Sequence, residues 1–184
     1  LVPRPIAWVL SENEGGSYNL APFSYFTAIS SDPPLILIST GRKPGGEPKD
    51  TRANIEARTD FVVMIPHGDL LEAMNESSAT LPAGESEVDR LGLATTPLEG
   101  SRLPRLAESR IAYACQRHEI LEMGNGPQAL IIGRVNAIWI DDAVMGPDAK
   151  GRPKVQVDRL DPIGRLGAGE YALLGDIKRL PRPE

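Results

Sequence analysis

The chain has 184 residues and a mass of 19.9 kDa, long enough to bury roughly 70% of its unfolded surface without a metal or disulfide staple, so one domain over residues 1–184 is expected. Its 20 Lys and Arg against 25 Asp and Glu leave a formal charge of −5 with the signs interspersed, which argues against a nucleic acid or an anionic membrane as partner. The longest apolar stretches, such as residues 35–38, fall far below the roughly 18 to 20 residues that cross a bilayer, and the single cysteine, Cys115, excludes an intrachain disulfide and fits a reducing, cytoplasmic setting. The opening Leu1-Val2-Pro3-Arg4 carries neither Met nor a signal-peptide pattern and reads as a fragment lacking a short N-terminal piece.

Glycine and proline number 18 and 17 and are spread along the chain, which predicts many turns between short strands. Residues 6–10 form a short apolar run, residues 11–17 are turn-rich, and Tyr18 begins a second extended stretch, so a hairpin is predicted. Residues 25–30 read as extended and stop at Ser31-Asp32-Pro33-Pro34, after which residues 35–39 have the continuous apolar character of a strand buried on both faces. Asp50 is placed as the N-cap of a short helix over residues 51–58, with Ile55 and the alanines as its apolar face. Residues 61–65 make a strand limited by Pro66, and a second helix is expected over residues 70–76. Residues 79–100 read as a loop or lid with at most a turn of helix around residues 88–91. Residues 110–120 and 129–140 are two long strands around the turn signal Gly124-Asn125-Gly126-Pro127. The tail from Asp161 is glycine-rich and ends at Pro181-Arg182-Pro183-Glu184. Short strands with few helices favour a mainly β antiparallel barrel with peripheral short helices. A doubly wound parallel fold would need a helix after nearly every strand and is the weaker reading.

Metal chemistry has little support, because His67, His118 and Cys115 show no ligand-like spacing. A hydrolase is also disfavoured: there is no Gly-x-Ser-x-Gly elbow, and Cys115 sits in an apolar strand where a buried thiol is the ordinary reading. Lys49-Asp50-Thr51 is more informative. A helix start exposes unpaired amides, Lys49 adds charge, Thr51 adds a hydroxyl, and residues 41–46 bring Arg42 and Lys43 close in sequence, so a phosphate could sit there; a capped surface helix with solvated cations is the alternative. The segment from Asn19 to Ala28 interleaves amides, hydroxyls and aromatic rings in the mixture a flat heteroaromatic ligand needs. A half-buried strand whose Tyr18, Tyr25 and Phe26 merely pack is its alternative.

Taken in order, Pro3-Arg4-Pro5-Ile6-Ala7-Trp8-Val9, Asn19-Leu20-Ala21-Pro22-Phe23-Ser24-Tyr25-Phe26, Ser31-Asp32-Pro33-Pro34-Leu35, Lys49-Asp50-Thr51, Asn54-Ile55, Phe61-Val62-Val63, Ala73-Met74-Asn75 and Pro162-Ile163-Gly164-Arg165-Leu166-Gly167-x-x-x-Tyr171 resemble the flavin reductase-like proteins with an FMN-binding split barrel, flavoredoxin among them. That resemblance implies a six-stranded antiparallel split barrel, a homodimer with FMN at each side of the interface, and NADH or NADPH as reductant. It implies that Asn19, Ser24, Tyr25, Phe26 and Thr27 belong to the flavin-binding segment, Ser24 to Thr27 running beside the isoalloxazine and ribityl chain. It further implies that Thr40, Lys49, Asp50 and Thr51 hold the phosphate, and that Arg165 and Tyr171 belong to the C-terminal motif, Arg165 at the cofactor. Arg4 falls in a matching motif, where a buried structural arginine is an equal reading. The flavin itself would carry the chemistry, so no catalytic side chain is assigned. Two further readings stand: an FMN electron carrier reduced by a protein partner, and a non-catalytic split barrel. Residues 41–48 are longer and more glycine-rich than the family pattern, and Gln128 and Arg134 stand where histidine and glutamate are expected.

Overall fold

The computed structural model describes residues 1–180 and Pro183, so Pro181, Arg182 and Glu184 of the predicted tail lie outside the described residues. In chain order the strands are β1 (Arg4–Pro5), β2 (Ala7–Glu12), β3 (Tyr18–Phe23), β4 (Phe26–Ser31), β5 (Pro34–Thr40), β6 (Asp60–Met64), β7 (Thr95–Thr96), β8 (Arg105–Leu106), β9 (Ile111–Glu122), β10 (Ala129–Ile140), β11 (Met145–Pro147), β12 (Pro153–Val155), β13 (Gly164–Gly167) and β14 (Glu170–Ala172). The helices are α1 (Asp50–Arg58), α2 (Leu71–Glu76), α3 (Glu87–Arg90) and α4 (Val157–Leu160). A 3-10 turn over Gly68–Leu70 starts the second helix one residue later than predicted.

Seven strands form one antiparallel sheet in the order β3-β2-β6-β9-β10-β5-β4. The edge strands β3 and β4 are separated in sequence only by Ser24 and Tyr25, and two residues reach roughly 10 Å. The sheet must therefore curl until its edges meet. Because β3 and β4 do not hydrogen-bond to each other, the result is a split barrel. It has seven strands where six were implied, since β4 pairs with β5 from Phe26↔Ile38 to Ser31↔Pro34. The glycine-rich tail also finds partners: β13 pairs with both β1 and β14 in a small separate sheet.

Strand alternation divides the core in two. Ala7, Val9, Phe61, Val63, Ile36, Ile38 and Ile131 form one cluster with Ile55 of α1. Trp8, Leu10, Val62 and Met64 point the other way, into a second cluster with Met74 of α2, Val88 of α3 and Leu98, Leu103 and Leu106. The strands buried on both faces are thus β2 and β6, not β5: along β5 only Ile36, Ile38 and Thr40 are buried, while Leu35, Leu37 and Ser39 alternate with them half-exposed. Residues 98–106 and two helices cover the outer face of β2. The long segment read as a loop or lid is partly ordered by α3 and by the β7–β8 pair.

Glu87, in α3, manages one barrel edge. Its buried carboxylate accepts the Leu20 N–H of edge strand β3 at 2.8 Å, occupying a donor that an unpaired edge would present to another chain. Burial holds the Glu87 carboxyl above its ordinary value, against the opposing pull of that hydrogen bond.

Two tests follow from this packing. A Cβ on Gly133 of β10 would run into the Phe61 ring at the barrel centre, so Gly133→Ala should cost about 1–3 kcal/mol as an overpacking change, measured by denaturant unfolding. For Glu87 the folded-state value lies above the unfolded one, so its contribution is complete at acid pH and is lost as pH rises through the folded value. Glu87→Gln keeps an acceptor for Leu20 but cannot ionise; its stability relative to the wild type should therefore improve from pH 4 to pH 8, and a constant difference across that range would contradict the assignment.

Candidate functional site

Residues 41–48 fold back on themselves. Arg42 and Pro48 form an isolated antiparallel bridge, Lys43 N–H donates to Glu47 O at 2.8 Å, and the turn closes at Gly46 with φ +87°, a conformation open to glycine. This places Arg42 and Lys43 beside the start of α1. Asp50 does not cap that helix: Lys49 occupies the cap position without a side-chain bond, and the Asp50 carboxylate instead accepts from Lys43 Nζ at 2.7 Å. A cation within reach outcompetes the helix amides for the carboxylate, which still lies in the first turn where negative charge suits the helix dipole. Lys49 is exposed and has no ion-pair partner among the described residues; its Nζ lies 5.5 Å from the centre of the Phe23 ring.

A cavity of about 240 Å³ opens between this helix start, β3 and the residues after α2. Asn19, Lys43, Lys49, Asp50 and Thr51 line it on one side and Ser77 to Thr80 on the other. Behind it runs a buried polar network. Asn19 Nδ2 donates to Thr51 Oγ1 at 2.8 Å and to Ser11 Oγ at 3.4 Å. Asn54 Nδ2, one helical turn beyond Thr51, donates to Asn13 Oδ1 at 2.9 Å and to Ser11 Oγ at 3.2 Å. Thr51 is 1% exposed, and because its oxygen already accepts from Asn19, its own proton remains free to donate into the cavity. The opposite wall is held by Trp8, whose indole N–H donates to Ser77 Oγ at 2.9 Å, while Ser77 Oγ donates to Met74 O. Three cations, Arg42, Lys43 and Lys49, face this space against Asp50 and Glu87, and both carboxylates are already engaged. A hydroxyl donor, an ammonium with no ion-pair partner among the described residues and a helix N-terminus are a donor set chemically suited to an anion.

A second cavity, of about 150 Å³, lies further along β3 and shares Ser78 with the first. Ile6, Pro22 and Met74 make its apolar floor, and Ser24, Asn75, Ser78, Arg165 and Tyr171 supply its polar groups.

The ten residues named from the sequence separate accordingly. Asn19, Lys49, Asp50 and Thr51 meet in the first cavity, and Ser24 and Arg165 in the second. The other four line neither. Tyr25 is 57% exposed beneath the Arg4 guanidinium; Phe26 packs on the barrel cluster; exposed Thr27 donates to Ala28 O; and Thr40 is buried with no hydrogen-bond partner for its hydroxyl. The sequence reading missed the wall of residues 77–80 and Glu87, whose approach depends on the Trp8–Ser77 contact 69 residues apart; no local spacing signals it. Cys115 is buried, which pushes its thiol well above the ordinary value, and buried His67 engages Glu108 O through Nε2 at 3.1 Å. Neither is placed as a nucleophile or ligand. Among the described residues no three His, Cys, Asp or Glu side chains gather in a metal-binding group, and no helix is long and apolar enough to cross a membrane.

An uncharacterized protein of Halalkalibacterium halodurans is 38% identical over 187 aligned residues, covering 100% of this chain and 87% of that protein. The crystal structure of nitrilotriacetate monooxygenase component B from Bacillus cereus superposes with a TM-score of 0.88 at 35% identity, covering 98% of this chain and 88% of the other. That of 2-nitrobenzoate 2-nitroreductase NbaA from Pseudomonas fluorescens gives 0.86 at 32% identity, covering 100% and 86%. A model of the flavin reductase like domain matches residues 1–152, and by that match, with the split-barrel fold shared with these structures, the chain belongs to the flavin reductase-like family.

Proposed function

We propose that the protein is an FMN-binding oxidoreductase that moves electrons from NADH or NADPH through bound flavin to a second acceptor, as a cytoplasmic homodimer. The observation that carries this reading is the Thr51 hydroxyl, fixed by Asn19 as a donor into a cavity beside unpaired Lys49. The donor set suits a phosphate monoester: a backbone helix start, one hydroxyl and a cation, with Arg42 and Lys43 close by. Lys49, Thr51 and the amides of α1 would hold the phosphate, and the wall from Ser77 to Thr80 would flank the ribityl chain. FMN, when bound, supplies the hydride-accepting and electron-passing chemistry. The chain's own work is to bind, orient and exclude water, and Ser24, which lines the second cavity, would border the flavin rather than hold its phosphate. The names of the two solved neighbours, a nitroreductase and a monooxygenase component, support an oxidoreductase. The dimer is supported by the half-exposed apolar stripe of Leu35, Leu37, Leu130 and Ile132 on the outer face of β5 and β10, and the reducing compartment by the lone thiol.

The test is a purified sample given FMN, desalted and exposed anaerobically to NADH and then NADPH. A retained flavin band that either nucleotide bleaches, in a particle of twice the 19.9 kDa chain mass by light scattering, is the expected result. Bleaching only in the presence of a reductase protein would shift the reading to an electron carrier, and a protein that takes up no FMN would overturn it. Lys49→Ala should weaken FMN binding about tenfold at low ionic strength and leave riboflavin, which has no phosphate, unaffected; an equal loss for both would remove Lys49 from the phosphate site.

A further inference from the structure

The second cavity holds a set of hydrogen-bond donors that the phosphate site does not use. Tyr171 organises two of them. Its hydroxyl donates to Asn75 Oδ1 at 2.8 Å, which commits the carboxamide oxygen and leaves Asn75 Nδ2 without a partner among the described residues. The Arg165 guanidinium stacks over the Tyr171 ring, 4.7 Å from its centre. Arg165 uses Nη1 on Glu170 O at 2.9 Å and has no carboxylate within ion-pair distance among the described residues. A third donor comes from Ser24, whose Oγ accepts from Arg4 Nε at 3.1 Å, so that its proton is free. Arg4 itself is the cross-strand partner of Arg165. Two like charges directly opposite one another are unfavourable, and Arg4, which borders Ser24 without lining the cavity, also has no acidic partner among the described residues. No carboxylate lines this cavity.

We propose that this cavity is a carboxylate subsite for a small planar acid, the second ligand of the site described above. Its identity as a second-ligand site rests on the flavin reading, although the donor set does not. The chemistry favours a carboxylate over a phosphate. A guanidinium fork with an amide and a hydroxyl matches a planar two-oxygen group, the floor of Ile6, Pro22 and Met74 covers an apolar body, and the cluster of three cations lies in the other cavity. Tyr171 is a positioning residue, since it holds both Arg165 and Asn75 without lining up a donor of its own.

Isothermal titration of the FMN-saturated protein with sodium benzoate tests this. Benzoate should bind, its neutral analogue benzamide should not, and inorganic phosphate should bind this cavity more weakly. Arg165→Gln should weaken benzoate at least about tenfold, as expected for loss of a charge-assisted pair, and Arg165→Lys should recover part of the loss. Tyr171→Phe, which keeps the ring and releases Asn75, should weaken it by a smaller factor; thermal midpoints of all three variants show whether they are folded. Absence of benzoate binding, equal binding of benzamide or phosphate, or an unchanged affinity in folded Arg165→Gln would overturn the proposal. So would displacement of benzoate by FMN, which would assign the cavity to the flavin ring. If the protein takes up no FMN yet binds benzoate with the same dependence on Arg165, the flavin reading fails and the subsite stands.

Discussion

The buried network of Ser11, Asn13, Asn19, Thr51 and Asn54 is the constraint on which the site depends. Four of these side chains lie at the seam where α1 meets β2 and β3, and each has a partner within it. Such a network contributes little net stability per bond, about 0.5–1.5 kcal/mol, yet leaving one member unpaired costs about 1–3 kcal/mol. It therefore acts mainly on specificity: α1 can dock in one register only, and that register turns the Thr51 hydroxyl and the helix N-terminus toward the same space. Thr40 shows the contrast. Its hydroxyl is equally buried but unpartnered, and it does not reach either cavity.

The second constraint is the double burial of β2. A strand this close to the barrel edge would ordinarily face water on one side, but Trp8 and Leu10 on its outer face require cover. That cover is supplied by α2, α3 and residues 98–106, and the indole N–H of Trp8 fixes the end of α2 by binding Ser77. Packing that satisfies an apolar surface thus builds the far wall of the first cavity. Glu87 completes the arrangement by holding α3 against the open edge of β3, at the cost of a carboxylate kept out of water.

Charge is organised locally and not by the total. The chain is acidic overall, with a formal charge of −5, yet the first cavity along β3 gathers three cations and the second pairs one guanidinium with neutral donors and no carboxylate among the described residues. In the first, the short ion pair of Lys43 with Asp50 consumes one charge of each sign and leaves Lys49 free. In the second, Arg165 is the lining cation, and strand register sets Arg4 opposite it outside the cavity. Pairing decides which charges remain available, and pairing is a property of the folded chain.

The sequence by itself determined the elements and much of their order. Alternating apolar runs, the turn signal before Ala129 and the scarcity of long helical periods were sufficient for a mainly β antiparallel barrel, because these are local consequences of side-chain periodicity and backbone preference. The motif order was sufficient for the family, and it pointed to Asn19 and to Lys49, Asp50 and Thr51; the last three are neighbours at one helix start, while Asn19 reaches Thr51 across 32 positions through the docking of α1 on β3. Only the tertiary structure decided the rest. It moved double burial from β5 to β2 and β6, since burial depends on which outer face a distant segment covers. It took Asp50 away from the helix cap, since Lys43 returns through a folded loop. It separated Tyr25, Phe26, Thr27 and Thr40 from the cavities, and it brought Ser77, Glu87, Asn75 and Tyr171 to them from far along the chain, through contacts that no spacing in the sequence records.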